Sequence, residues 1–215
     1  MNDVERQRPE WADVTLAILA GGRGERLGGV AKGLLVVEGE PVLARVLALG
    51  PRFGDVLLVA NDAAPYVRFG LRAVADVLPG RGAPGGVQAA LAGARTAWVL
   101  AVACDMPFIT AAAVAVLLEA RAPGVDAVAF QVGGRVEPLL ALYRQTLAGP
   151  WGEALRDAEP SLRALLARSS ARLLPEDALR AVDPGLRAVV SVNTPEDLVR
   201  HGASLPASFQ GVKSE

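Results

Sequence analysis

Arg23, Arg26 and Lys32 lie close together in a stretch that also carries Gly21, Gly22, Gly24, Gly28 and Gly29. Cationic side chains among residues without a Cβ suit phosphate, because its oxygens take both backbone amide donors and positive charge. The run Val14 to Ala20 that leads into this stretch is short, continuous and apolar, so it reads as a buried strand. A strand feeding a glycine-rich, cationic loop is what a nucleoside triphosphate requires. Two named phosphate motifs do not fit. The dinucleotide pattern would need a glycine where Arg26 or Leu27 stands, and the P-loop would need Ser or Thr after Lys32, where Gly33 stands. A tight connection with solvated arginines is the plainer reading of the same residues.

Asp105 follows another apolar run, Trp98 to Ala103, and precedes Met106-Pro107. A carboxylate at a strand end beside a triphosphate loop is placed to hold Mg2+, which prefers oxygen ligands; it also suits a turn. Asn61 ends a further apolar run, at a position that offers hydrogen bonds to a base or ribose and equally favours a turn. Asp76 precedes the Pro/Gly-rich stretch from Val77 to Gly86 and has the acceptors for guanine N1–H and its 2-amino group. Cys104, the single cysteine, reads as a small buried residue, and His201, the single histidine, as a surface one.

These residues need elements to hold them. Val42, Leu43, Val46 and Leu47 repeat at helical spacing after Pro41. Asp55 to Ala60 reads as a strand, Val87 to Arg95 as a helix, and Thr110 as the N-cap of a helix over Ala111 to Arg121. Ala127 to Val132 and Glu137 to Tyr143 form a hairpin-like pair through Gly133-Gly134, followed by helical segments at Gln145–Ala158 and Ser161–Arg168. Ala188 to Val192 reads as a last strand, and Asn193-Thr194-Pro195-Glu196-Asp197 opens a short helix. Such alternation predicts an α/β fold, a Rossmann-like three-layer sandwich with a mostly parallel sheet and a small hairpin-containing lobe for substrate. In such sheets ligands collect at the carboxyl ends of the strands. Those ends read Gly21-Gly22, Asn61-Asp62 and Cys104-Asp105.

At 215 residues and 52% apolar content the chain has material for one sizeable core. Residues 14–200 are expected to form a single domain, with 1–13 and 202–215 as flexible tails. A net charge of −1 argues against nucleic acid or a membrane surface as partner. One cysteine gives neither a disulfide nor a thiolate zinc cluster. The polar start and the lack of an apolar run of ~20 residues make the cytoplasm the expected location.

The block Leu19-Ala20-Gly21-Gly22, Arg26, Gly28-Gly29 and Lys32-Gly33-Leu34-Leu35 resembles the first motif of the molybdenum cofactor guanylyltransferases, within the nucleotidyltransferase superfamily. Leu27 replaces that motif's methionine and Ala31 its acid. Gly134 to Tyr143 and Ser191 to Leu198 resemble two later motifs, and the likeness runs from about Leu16 to Leu198. The resemblance implies transfer of GMP from GTP to molybdopterin with Mg2+, a pterin-delivering protein and a target molybdoenzyme being further partners. It implies Lys32, Arg26 and Asp105 in catalysis and Asp105 on the metal. GTP would meet Leu19, Ala20, Gly21, Gly22, Lys32, Asn61, Asp76 and Gly86, and the pterin Asn193. The loop Gly82-Ala83-Pro84-Gly85-Gly86 departs from the family's usual order. Cytidylyl transfer, a sugar-phosphate acceptor, and a non-catalytic cofactor carrier stay open as alternatives.

Overall fold

The computed structural model describes residues 8–21, 23–78 and 80–207. Gly22 therefore lies outside the described residues. The central sheet has seven strands: β1 (Trp11–Leu19), β2 (Phe53–Val59), β3 (Arg72–Val74), β4 (Trp98–Ala103), β5 (Ala127–Val132), β6 (Arg135–Arg144) and β7 (Ala171–Pro175). Side by side they run β7-β5-β6-β4-β1-β2-β3. Parallel pairing joins β4 to β1, β1 to β2, β2 to β3 and β5 to β7, while β6 runs antiparallel to both its neighbours.

Helices α1 (Val42–Leu47), α3 (Ala111–Glu119) and α6 (Glu176–Arg180) cover one face. Helices α2 (Gly82–Gly93), α4 (Ala148–Asp157) and α5 (Leu162–Ala167) cover the other. Alternation along β1 feeds both cores: Leu16 and Ile18 point to the first, Ala17 and Leu19 to the second. A strand covered on both sides has no polar face to keep, which is why its stretch from Leu16 to Leu19 is continuously apolar. Among the described residues no helix is long and apolar enough to cross a membrane.

Several boundaries differ from the sequence reading. β1 begins at Trp11, so residues 11–13 belong to the sheet and not to a tail; Trp11 is buried edge-on against Phe53. α2 begins at Gly82, before the expected Val87, because first-turn amides need no intrahelical partner and Pro84 and the glycines cost little there. β3 and β7 were not apparent from sequence; they are short edge strands without an apolar run, and Pro175 ends the second. The hairpin of β5 and β6 sits within the central sheet. A small antiparallel sheet is built instead from Glu40–Pro41, Val36–Val37 and Ala203–Ser204. Residues 203–204 are thus strand, not tail.

Ala188 to Val192 is not a strand. Residues Arg187–Val189 form a 3-10 turn, and Val192 N–H donates to Asp105 O at 2.9 Å. The stretch is apolar because Ala188 and Val192 are fully buried, which side-chain pattern alone does not separate from a ladder. The closing helix α7 (Pro195–Arg200) does form, with a capping box between Thr194 and Asp197. His201 caps its end and is half-buried, its ring 5.9 Å from that of Phe108, so it is not a free surface residue.

Gly54 shows how tightly β1 and β2 are drawn together. A Cβ there would sit 2.0 Å from Ala12 O, a backbone atom that cannot swing aside. Gly54→Ala is expected to lower unfolding free energy by roughly 1–3 kcal/mol. Gly149→Ala in α4, where a Cβ meets nothing within 4 Å, should be neutral or stabilising by up to about 1 kcal/mol. Urea unfolding of both variants checks this, and the reverse order would refute the packing argument.

Candidate active site

Four strand ends are stitched together just where the ladders stop. Ala20 N–H donates to Val59 O at 2.8 Å, Ala60 N–H to Val74 O at 3.0 Å, and Cys104 N–H to Leu19 O at 3.0 Å. The loops that follow leave the sheet from one edge, the carboxyl edge of its parallel strands.

A cavity of about 410 Å³ opens at this edge, lined among others by Leu19, Gly21, Asn61, Asp76, Gly86 and Leu139. Asp76 forms part of its wall through a fixed geometry. Its backbone N–H donates to Asn61 Oδ1 at 2.9 Å, and its Oδ1 accepts from Leu78 N–H at 3.0 Å. Asn61 therefore serves the turn through its side-chain carbonyl oxygen. The start of α2 crowds the same carboxylate: a Cβ on Gly85 would lie 2.5 Å from Asp76 Oδ2. On Gly86 it would lie 3.1 Å from Leu19 Cδ2. The glycines of this irregular loop are thus what lets the helix start approach Asp76 and the cavity floor.

Lys32 stands at the other end of the site. It opens a 3-10 turn, Lys32–Leu34, and its Nζ donates to Asp105 Oδ2 at 3.1 Å and to Asn193 Oδ1. Asp105 is 8% exposed. Asn193 arrives on the segment that Val192 N–H ties to Asp105 O, and its own N–H donates to Asp197 Oδ2 at 3.0 Å within the cap of α7. Asn193 and Asp105 thus meet on one lysine. Arg26 is exposed on the 3-10 turn Glu25–Leu27, and among the described contacts none joins it to Lys32 or Asp105. Leu19 and Ala20 lie nearly buried at the end of β1, with Gly21 exposed beside them.

Two oxygens converging on one ammonium make a site for positive charge. Carboxylate and amide oxygens are also the donors that a hard divalent cation takes, so the residues present fit such a cation at Asp105. Cys104, next in the chain, is buried, and burial followed by the neighbouring Asp105 charge pushes its thiol up to about 12. A neutral thiol of that kind is no nucleophile at ordinary pH.

The sequence reading passed over Glu137 except as part of a longer stretch. It lies on β6 two residues before Leu139, a residue of the cavity wall. Burial, then the Asp105 charge, raises its carboxyl above the usual range against the opposing pull of Leu139 N–H and Arg163. A lone carboxylate inside an otherwise apolar strand was the available signal.

The MobA-like NTP transferase domain matches residues 16–173 of this chain. The chain belongs to that family. It is 36% identical over 192 residues to the molybdenum cofactor guanylyltransferase of Pseudomonas paraeruginosa, covering 87% of this chain and 93% of that one. It is 35% identical over 191 residues to the one from Serratia proteamaculans, again with 87% and 93% covered. The crystal structure of molybdopterin-guanine dinucleotide biosynthesis protein A from Archaeoglobus fulgidus superposes with a TM-score of 0.75 at 27% identity, covering 87% and 96%. As a MobA-like NTP transferase the chain is a nucleotidyltransferase, and its mixed sheet is that of its solved neighbours.

Glu137 gives a pH test of the site's electrostatics. Its native pKa lies above its unfolded one, so the native state holds the proton more tightly. Stability therefore falls as pH rises from the ordinary glutamate range, about 4.3, through the raised native value. Glu137→Gln keeps an acceptor for Leu139 N–H and removes the charge. Its melting temperature should exceed that of the parent at pH 7 and match it near pH 4. A difference that does not change with pH would refute the assignment.

Proposed function

We propose that this MobA-like NTP transferase joins GMP from GTP to molybdenum-bound molybdopterin, in the cytoplasm, releasing pyrophosphate. One observation carries the reading: Cys104 N–H donates to the carbonyl of Leu19, a residue of the cavity walled by Asp76, so that Asp105, which with Asn193 holds Lys32, follows directly from the strand end that lines the cavity. In this reading the guanine base enters that cavity, with its N1–H and 2-amino group donating to Asp76. Leu19, Ala20, Gly21, Asn61 and Gly86 line the path from base to phosphates, and Arg26 closes over the phosphate oxygens from its exposed turn.

A terminal phosphate oxygen of molybdopterin attacks the α-phosphorus in line. The new P–O bond forms as the bond to the β-phosphate oxygen breaks, and pyrophosphate leaves. The attacking oxygen is already ionised, so the protein need not supply a general base. Lys32 turns from its partners toward the α-phosphate and meets charge that grows during displacement. Asp105 would hold Mg2+, whose chemistry when bound is to neutralise phosphate charge. Asn193, adjoining Lys32, faces the incoming pterin phosphate. A separate protein delivers the pterin, and a molybdoenzyme takes up the product.

A nucleotide panel scoring pyrophosphate release with molybdopterin as acceptor tests the reading. GTP should exceed ATP and CTP, because adenine lacks both donors and cytosine is too small to reach. An unpaired carboxylate costs roughly 1–3 kcal/mol. Asp76→Asn should narrow that ranking, and Asp105→Ala should abolish turnover without unfolding the chain. CTP used better than GTP would replace guanylyl with cytidylyl transfer. No turnover with any nucleotide would favour a carrier role.

Lys32→Ala separates ground-state from transition-state effects. It should lower kcat by the equivalent of about 3–4 kcal/mol while GTP affinity changes far less. Weaker GTP binding at unchanged kcat would mean that Lys32 only holds the substrate.

A further inference from the structure

Arg45 belongs to none of the motifs above, yet its guanidinium lies where the segments of the reacting end meet. It sits on α1, the helix that follows the Lys32 turn. Val42 N–H donates to Leu35 O at 2.8 Å, and a Cβ on Gly33, next to Lys32, would be 3.4 Å from Leu43 Cβ. The helix is therefore packed directly against the lysine segment. From its last turn Arg45 reaches the aspartate segment as well. Its Nε donates to Pro107 O at 3.1 Å and its Nη1 to Val37 O at 3.4 Å, while Nη2 pairs with Glu38 Oε2 at 2.9 Å.

The partners of this guanidinium are themselves held. Glu38 takes a φ of 52° at the tip of the hairpin that joins Val36–Val37 to Glu40–Pro41, a left-handed conformation that residues other than glycine adopt at a cost. Its second oxygen, Oε1, faces Arg187 Nη2 at 3.8 Å, and Arg187 Cζ stands 3.9 Å from the ring centre of Phe108, the residue after Pro107. The main chain after Asp105 is thus fixed at two carbonyls. Asp105 O accepts Val192 N–H at 2.9 Å and Pro107 O accepts Arg45, with Met106 between them 1% exposed. Among the described hydrogen bonds no other donor reaches Pro107 O.

We propose that Arg45 is a positioning residue, whose planar fork ties Pro107 O to α1 and thereby sets the Asp105 carboxylate relative to Lys32. The role rests on the reading of Asp105 and Lys32 as the groups that act on the triphosphate. A guanidinium suits it because several donors lie in one fixed plane, whereas an ammonium is a point charge. Misplacing groups at a reacting centre by about 1 Å costs on the order of a hundredfold in rate, so a partial shift of this loop corresponds to roughly tenfold.

Arg45→Lys keeps the positive charge and a partner for Glu38 but loses the fork. Pyrophosphate release should show kcat lowered roughly tenfold, with KM for GTP within about twofold and the melting temperature nearly unchanged. Arg45→Met, which loses the charge as well, should match the lysine variant in both constants, because the bond to Pro107 O carries the role. Glu38→Gln leaves the fork and removes the carboxylate that aims it, so kcat should fall about two- to threefold at unchanged KM. It carries the test if both Arg45 variants unfold, and the parent's kcat in that variant would then overturn the role. Parental kcat in Arg45→Lys while Asp105→Ala and Lys32→Ala are crippled overturns the positioning role alone. So does a loss that falls on KM for GTP at unchanged kcat, the mark of a distant cation for the triphosphate, or one spread evenly over kcat, KM and melting temperature. Near-normal turnover in Asp105→Ala itself would instead overturn the reading of the aspartate.

Discussion

Lys32 and Asp105 are separated by 73 residues of chain and meet at 3.1 Å, both largely withdrawn from water. Neither charge would be tolerable there alone, since breaking a buried pair leaves an uncompensated ion at a cost of about 3–5 kcal/mol. The fold is arranged so that the pair forms. β1 delivers the loop that ends in Lys32, β4 delivers Asp105, and Val192 N–H on Asp105 O brings Asn193 to the same ammonium. A third apolar cluster, including Leu27, Val30, Val37, Phe108 and Val192, presses these segments together from outside the main cores. The pairing of Ala203–Ser204 with Val36–Val37 closes that cluster.

A pair held this way is ready to exchange partners. In the proposed reaction, phosphate oxygens entering beside Lys32 would offer it anionic acceptors without returning it to water and would free Asp105 for a cation. Coulomb attraction at a few ångströms and reduced dielectric greatly exceeds its value in water. The same seclusion that makes the site depend on its ion pair would make it responsive to charge that develops in the proposed reaction. The base end is built on another principle. Asp76 is set by backbone hydrogen bonds and by the close approach of Gly85, so its place is fixed by the main chain.

Neighbours of lower similarity share the architecture alone. The 2-C-methyl-D-erythritol 4-phosphate cytidylyltransferase of Thermus thermophilus superposes with a TM-score of 0.62 at 20% identity, over 86% of this chain and 95% of that one. In sheets of this kind ligands are met by the loops at the carboxyl edge. In this chain those loops are the cationic turn, the glycine start of α2 and the segment before α7.

The amino-acid sequence determined the α/β class, the strands around Leu16, Leu57 and Leu100, and the loops that leave them, because burial on both faces demands continuous apolar runs. It also determined the caps at Thr110 and Thr194, where a side-chain oxygen answers local amides. Lys32, read as a phosphate cation, and Asp105, read as a metal ligand, were picked out by their positions after such strands, and the fold brings the two together. Tertiary structure alone decided what depends on distant partners. The edge strands β3 and β7 exist only because a neighbour offers them a ladder. The segment at 188–192 reads as a strand but finds a single bond to Asp105 in place of a sheet. The contact of Asn193 with Lys32 spans 161 residues. Local pattern encodes which face a residue turns to the core. It does not encode which other residue will be waiting there.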